Sequence, residues 1–355
     1  MRTIAVISVL VAVCASSVIP PNVKVGEVED VLEVDPVDYE AITSIPGDNS
    51  HYVEGKSRYI WMPDGEGVPH LVDLHMPVEN STTSRNGANN QYWLYTRRNP
   101  NNAQIIVHNN ANSIWSSNYV ASRPLMFVVH GWNSDGNSAL NPLITSAFLA
   151  AHDGNVVVVD WRGVANNINY IAAANGVPSV GQFIGDFLVW LINTTGTNWN
   201  NVHLVGFSLG AHAVGIAGRR AGGRPVRVTG LDPAGPTWGG NSQALNSAAG
   251  TYVEAIHTDG GILGIFDRVA NSDFYPNRGR NPQPGCSIST CSHSRAWELF
   301  ASSIRTNHFV GRLCSNLNQA QNNQCTGSTL NMGNSILSKR GNGIYGLTTG
   351  NSWPF

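Results

Sequence analysis

Gly206-Phe207-Ser208-Leu209-Gly210 is the part of this 355-residue chain best suited to nucleophilic chemistry. It follows an apolar run, residues 202–205, that reads as a strand, and it opens a stretch, residues 209–221, that reads as a helix. A strand that turns straight into a helix leaves no room for side chains beside the turn, so both outer glycines are needed. Ser208 is then held strained with its hydroxyl exposed. The helix also sets its positive dipole end under a developing oxyanion. A serine at neutral pH needs a base, and the base needs a carboxylate to orient it. Asp232, in Gly230-Leu231-Asp232-Pro233-Ala234-Gly235-Pro236, sits at the end of a second apolar run and is fixed by proline. A helix-capping or turn aspartate is the plainer reading of any Asp-Pro pair. Two histidines compete as the base. His293 follows Cys291-Ser292 and precedes a helical stretch, residues 294–305, whereas His257 in Ile256-His257-Thr258-Asp259 ends a strand ahead of the presumed final loop. His293 is preferred because it lies beyond that loop and next to a cysteine pair. His130, His203 and His212 fall within or beside strand and helix segments and read as structural. Two backbone N–H donors would complete the set: Leu209, and Trp132 in Val128-Val129-His130-Gly131-Trp132. The chemistry open to such a set is transfer of an acyl group to Ser208 and then to water.

The elements around these residues alternate. Residues 125–129, 156–159, 202–205, 226–231 and 252–256 are β-branched, nearly continuous apolar runs, as expected of strands covered on both faces of a parallel sheet. Residues 140–151, 180–192, 209–221 and 294–305 are amphipathic or small-residue stretches of helical length. That rhythm indicates βαβ units with right-handed crossovers, and residues 92–108 read as antiparallel strands at the sheet's edge. The fold class is therefore α/β, a mostly parallel central sheet with helices on both faces.

The first seventeen residues, Met1-Arg2 with an apolar run and then small residues, read as a signal peptide; a membrane anchor is the alternative. Residues 18–58 read as an acidic propeptide. Between Ile19 and Gly55 there are nine acids against one base, Lys24, and Lys56-Ser57-Arg58 offers a trypsin-like cleavage point. An uncleaved acidic arm is the alternative. Residues 59–355 then form one domain with fourteen acids and seventeen bases, a net charge of about +3, and Lys339 is its one lysine. Arginine holds its proton at pH values where lysine begins to lose it, which would suit an alkaline digestive fluid. Compositional drift explains the same bias. Cys286, Cys291, Cys314 and Cys325 remain after the signal, and their spacing favours the local disulfides Cys286–Cys291 and Cys314–Cys325. Disulfides suit an extracellular protein, and the spacing does not fit a zinc site. Asn80-Ser81-Thr82 and Asn193-Thr194-Thr195 are candidate glycosylation sites.

His130-Gly131-Trp132, Asp160-Trp161-Arg162, residues 206–212, residues 231–236, Ile256-His257-Thr258-Asp259, Asp273-Phe274-Tyr275-Pro276-Asn277 and Cys291-Ser292-His293 occur in that order. Together they resemble the pancreatic lipase family, close to its insect neutral lipase and phospholipase A1 branch, from about residue 60 to the end. The resemblance implies an α/β-hydrolase fold, a triad of Ser208, Asp232 and His293, oxyanion donors at Trp132 and Leu209, and no cofactor.

The chain also departs from the family in three ways. No room follows Phe355 for the β-sandwich domain that binds colipase, so no colipase is expected, and no nucleic acid. The cysteines that flank the family's lid correspond to Cys286 and Cys291, and only residues 287–290 lie between them. So short a lid is similar to phospholipase A1 and galactolipase members, whose sites stand open to lipid at a micelle or membrane surface. The family's calcium loop uses acidic ligands, whereas residues 239–252 contain no acid, so no metal is expected. The resemblance thus implies a secreted lipid esterase, phospholipase A1-like or galactolipase-like. The alternatives are a triacylglycerol lipase and, in another class, a catalytically silent lipid-binding or storage protein such as the family's yolk proteins, which lack the serine.

Overall fold

The β-branched runs form the buried centre of one sheet. A computed structural model describes residues 42–78 and 86–355; the signal segment, residues 18–41 and Asn80 lie outside them. Strands β1 (Tyr59–Pro63) and β2 (Pro69–Asp73) pair as an antiparallel hairpin. The main sheet draws on β3 (Gln91–Tyr95), β4 (Gln104–Ile106), β5 (Leu125–Val129), β6 (Asn155–Asp160), β7 (Val202–Phe207) and β8 (Arg227–Leu231). It continues with β9 (Val253–Ile256), β10 (Ser272–Pro276), β11 (Val310–Cys314), β12 (Thr329–Asn331) and β13 (Gly343–Leu347). The order is β12-β11-β13-β10-β9-β8-β7-β5-β6-β3-β4. From β6 to β13 the neighbours run parallel, and β3, β4, β11 and β12 add antiparallel edges.

The helices are α1 (Ala111–Trp115), α2 (Leu140–Ala151), α3 (Arg162–Ala165), α4 (Tyr170–Thr195), α5 (Leu209–Arg220), α6 (Ser289–Thr306) and α7 (Leu317–Gln321). Alternate side chains of each strand point to opposite faces. Phe127, Val129, Val157 and Leu204 accordingly meet α4 and α5, while Met126, Val128, Val156 and Val205 meet α2 and α6. This is the α/β-hydrolase fold expected from the sequence.

Two helices differ from expectation. α4 starts at Tyr170, ten residues before the expected 180, and carries Pro178 inside it. Asn169 caps it by accepting from Ala172 N–H, and burial of Tyr170, Ala173, Ala174 and Val177 outweighs the bond that proline removes. A Cβ at Gly181 would collide with Ala213 O and Ile216, so the small residue sets how closely α4 and α5 approach. α6 begins at Ser289 instead of 294, which places His293 inside the helix. Its first turn is fixed by residues ahead of the domain start expected at 59. Asn49 Nδ2 donates to Ser289 Oγ at 3.2 Å and to Trp61 O at 2.8 Å, and Asn49 Oδ1 accepts from Trp61 N–H at 2.8 Å. Residues 42–58 thus pack on the domain beside α6, with Asn49 buried and Trp61 Nε1–H donating to Ile42 O. Both disulfides form as expected, Cys286–Cys291 and Cys314–Cys325.

Candidate active site

Chain order places the site. From β5 the chain passes to β6 on one side, and the next strand, β7, lies on the other side of β5, leading on to β8. Connections that diverge in this way leave a crevice beyond the carboxyl ends of the strands between them. The register brings those ends level: Val129 opposite Gly206, Phe207 opposite Leu231, and Leu231 opposite Ile256. Residues 130–132, Ser208, Asp232 and residues 257–259 therefore emerge along one edge.

Ser208 has φ 56° and ψ −124°, a region that costs a non-glycine residue about 1–3 kcal/mol and persists only where the surroundings enforce it. Here Ser208 N–H donates to Leu231 O at 3.0 Å, and Ser208 O accepts from Ala211 N–H at 3.0 Å. A Cβ at Gly206 would strike the Gly210 carbonyl, and one at Gly210 would strike the carbonyls of Val129 and His130. Only glycine fits at either place.

His293 Nδ1 lies 2.6 Å from Asp232 Oδ2. The other carboxylate oxygen, Oδ1, accepts from Thr258 N–H at 2.7 Å and Asp259 N–H at 3.1 Å, and Asp232 is fully buried. Ser208 and His293 line one narrow pocket with Met62, Pro63, Trp132, Tyr170, Phe207 and Leu263. The imidazole of His293 sits against the Phe207 ring, centroids 4.6 Å apart. The Trp132 and Leu209 N–H groups have no acceptor among the described residues. The loop of Trp132 is anchored from below: Trp161 N–H donates to His130 Nε2 at 3.2 Å, Trp161 Nε1–H donates to His130 O at 2.9 Å, and the two rings stack. Asp160 tends upward through burial, but the bonds donated by the Arg162 side chain and backbone N–H bring it below the usual carboxylate range.

The competitor His257 is fully buried, with Nδ1 2.7 Å from Ile265 O, Nε2 3.1 Å from Asp273 and its ring stacked on Tyr275. The structure keeps it apart from the pocket that holds Ser208. His212 stacks on Trp238, accepts from Leu245 N–H at 3.1 Å and donates to Ala234 O, and burial pulls it down to about 4. It pins the turn after Asp232. His203 is held well below its usual value, first by burial.

Asp259 was not singled out by the sequence. Its carboxyl is fully buried, and burial, followed by the charge of Asp232, holds it well above the usual range. Its Oδ2 accepts from Ser289 Oγ–H at 2.5 Å and Leu263 N–H at 3.0 Å. The signal available was the Ile256-His257-Thr258-Asp259 segment itself, whose last two residues supply the backbone N–H groups that hold Asp232. Residues 287–290 do not arch over the pocket: Ile288 caps α6, and Ser289 and Thr290 are buried in its first turn. Asn193 lies exposed on the last turn of α4.

A profile described as Lipase matches residues 65–355. The chain belongs to the lipase family. A pancreatic triacylglycerol lipase of Myocastor coypus is 31% identical over 280 residues, covering 71% of this chain and 61% of its own. Lipase member H-A of Xenopus laevis is 34% identical over 280 residues, covering 74% of this chain and 58% of its own. This member of the family thus spans about three fifths of the length of those relatives. Among solved structures, an acetyl xylan esterase from Aspergillus awamori is similar at TM-score 0.32 and 10% identity, covering 51% of this chain and 72% of its own. The fold assignment rests on the strand order and not on that partial overlap.

Proposed function

We propose that this lipase-family protein hydrolyses carboxylic ester bonds of lipids through an acyl-enzyme on Ser208. The observation that carries the reading is the 2.6 Å contact of Asp232 with His293 Nδ1 beside a strained Ser208. With Nδ1–H donating to Asp232, His293 Nε2 is left as the base for the Ser208 proton. Ser208 Oγ attacks the ester carbonyl, and the charge that develops on its oxygen is met by the Trp132 and Leu209 N–H groups, which have no acceptor among the described residues. His293 then protonates the leaving alcohol, and the same steps run with water release the fatty acid. No cofactor enters these steps, and with no acid in residues 239–252 the reading requires no calcium.

Of the four residues between Cys286 and Cys291, Ile288 is the N-cap of α6 and Ser289 and Thr290 lie in its first turn, which leaves none to form an apolar lid helix. A site without a lid helix favours amphiphilic esters at a micelle or membrane surface, so phospholipase A1-like or galactolipase-like activity is the finer reading. Triacylglycerol lipase activity is the second reading, favoured by the name of the coypu relative. The two disulfides, with the apolar start of the chain, support an extracellular protein released from its signal. Purified protein assayed on phosphatidylcholine, monogalactosyl diacylglycerol and triolein, with and without calcium, tests the reading. Faster turnover of the polar lipids, unaffected by a chelator, is expected. A strong triolein preference overturns the lid argument, and no hydrolysis of any of the three returns the protein to the lipid-binding class.

A further inference from the structure

A groove of about 680 Å³ opens beside Cys286, lined by Arg278 and Arg280. It shares an edge with the candidate active site. β7, β8, β9 and β10 run parallel, so residues 277–280 emerge at the same carboxyl ends as Ser208 and residues 257–259. Gly260 N–H donates to Gly279 O at 2.9 Å, and the buried Gln283 donates through Nε2 to Thr258 O at 3.1 Å. The turn is strained. Asn277, Arg278 and Gly279 have φ of 50°, 76° and 69°, a left-handed region that asparagine and glycine tolerate and that costs an arginine. Asn277 enforces it, donating through Nδ2 to Gln283 Oε1 at 2.9 Å and Thr349 Oγ1 at 2.8 Å and accepting from Thr349 N–H at 2.9 Å. Backbone strain of this kind gathers at functional sites. No protein contact of the exposed Arg278 side chain offsets it: among the described residues that side chain neither donates a hydrogen bond nor joins an ion pair.

Arg280 is exposed too, and its guanidinium lies over the Phe266 ring, 3.9 Å from the centroid. Stacking occupies the flat face and leaves the N–H edge for an anion. No acid lines the groove, and Asp267, next to Phe266 in the chain, lines a different one. Two guanidiniums in an acid-free groove match an anion, and a phosphate takes a guanidinium edge with two parallel hydrogen bonds. Position selects the source of that phosphate, a step that rests on the reading that Ser208 works at a lipid surface. We infer that Arg278 and Arg280 seat the phosphate headgroups of an anionic lipid surface and so dock this edge of the protein on it. A neutral sugar headgroup carries no charge for the guanidiniums to meet, so phospholipid is favoured over galactolipid.

Co-sedimentation of Ser208→Ala protein with vesicles tests the assignment. The vesicles are phosphatidylcholine alone, or phosphatidylcholine with either phosphatidylglycerol or monogalactosyl diacylglycerol. Partition onto the phosphatidylglycerol vesicles is expected to exceed the other two at least about tenfold at about 0.1 M salt and to fall at about 1 M. In the same background Arg278→Gly should weaken it about fivefold, and adding Arg280→Gln about twenty-fivefold, roughly the share of one and of two basic residues at an anionic surface. Glycine suits the left-handed turn, so Arg278→Gly should keep its fold, as circular dichroism checks. Arg278→Lys keeps the charge and should stay within about twofold of the parent. Arg98→Gln removes the same charge beyond the end of β3, which runs antiparallel to β6 and so ends at the opposite edge of the sheet. It should also stay within about twofold. The assignment is overturned by equal partition onto the anionic and either neutral vesicle, or by Arg278→Gly without effect. It is equally overturned by Arg278→Lys as weak as Arg278→Gly, or by an Arg98→Gln loss as large. Because partition is read on a protein without Ser208, failure of the catalytic reading and failure of this assignment are separate results.

Discussion

Replacing Asp232 by Asn tests the orientation of His293 with little change in volume. Asp232 Oδ1 faces two donors, Thr258 N–H at 2.7 Å and Asp259 N–H at 3.1 Å. An amide nitrogen there would set donors against donors, so the Asn carbonyl oxygen must take that side. The amide NH2 then faces His293 Nδ1, 2.6 Å from the present Oδ2, and Nδ1 is forced to accept. The ring proton moves to Nε2, and the base for Ser208 disappears. In Ser-His-Asp triads this change of tautomer costs about ten-thousand-fold in kcat, or about 5 kcal/mol at about 1.36 kcal/mol per decade. The assay is kcat for a soluble p-nitrophenyl ester, with circular dichroism to confirm the fold. A folded variant that keeps more than about a tenth of wild-type kcat would refute the orienting role.

Asp259→Asn should retain activity within about threefold, because the native carboxyl is already held neutral by burial and by Asp232. Native Asp259 keeps its proton where the unfolded chain has lost it, so wild-type stability falls as pH rises above about 3.8 toward the raised native value. The variant should lose that slope in urea unfolding at several pH values, and parallel curves would contradict it. Lys339, buried beside Glu254 with Arg227 close by, is pulled down to about 7, first by burial. Between pH 7 and 10.5 the unfolded chain carries a proton that native Lys339 lacks, so stability rises with pH through that window by at most about 1.4 kcal/mol per unit. Lys339→Met should flatten the rise, and an unchanged slope would remove Lys339 as its cause. Asn49→Ala strands Trp61 N–H and C=O and should cost about 2–4 kcal/mol in urea unfolding; a loss below about 0.5 kcal/mol would show that residues 42–58 do not hold the domain.

What the sequence disclosed and what it hid follow from locality. The elbow at Ser208 was legible because the steric demand on Gly206 comes from Gly210 within the same turn, and the parallel strands because burial on both faces leaves an unbroken β-branched run. Asp232 and His293 were readable from order along the chain, although their contact spans 61 residues. The early start of α6 was not readable, because Asn49, 240 residues away, fixes its first turn, and the start of α4 was hidden by Pro178 and its glycines, whose cost is met by packing on α5. Asp259 stayed hidden because its carboxyl is raised by burial and by a neighbour 27 residues distant, neither of which leaves a local pattern. Met62, Pro63 and Leu263 reach the pocket from loops and a hairpin that carry no motif.

In the proposed reaction Ser208 carries the acyl group, and mass spectrometry of the protein after reaction with a fluorophosphonate tests this. One adduct per chain is expected, on the peptide containing Ser208, with ester hydrolysis lost in step and absent from Ser208→Ala protein. Labelling at another residue, or hydrolysis that survives in the folded Ser208→Ala protein, would contradict it.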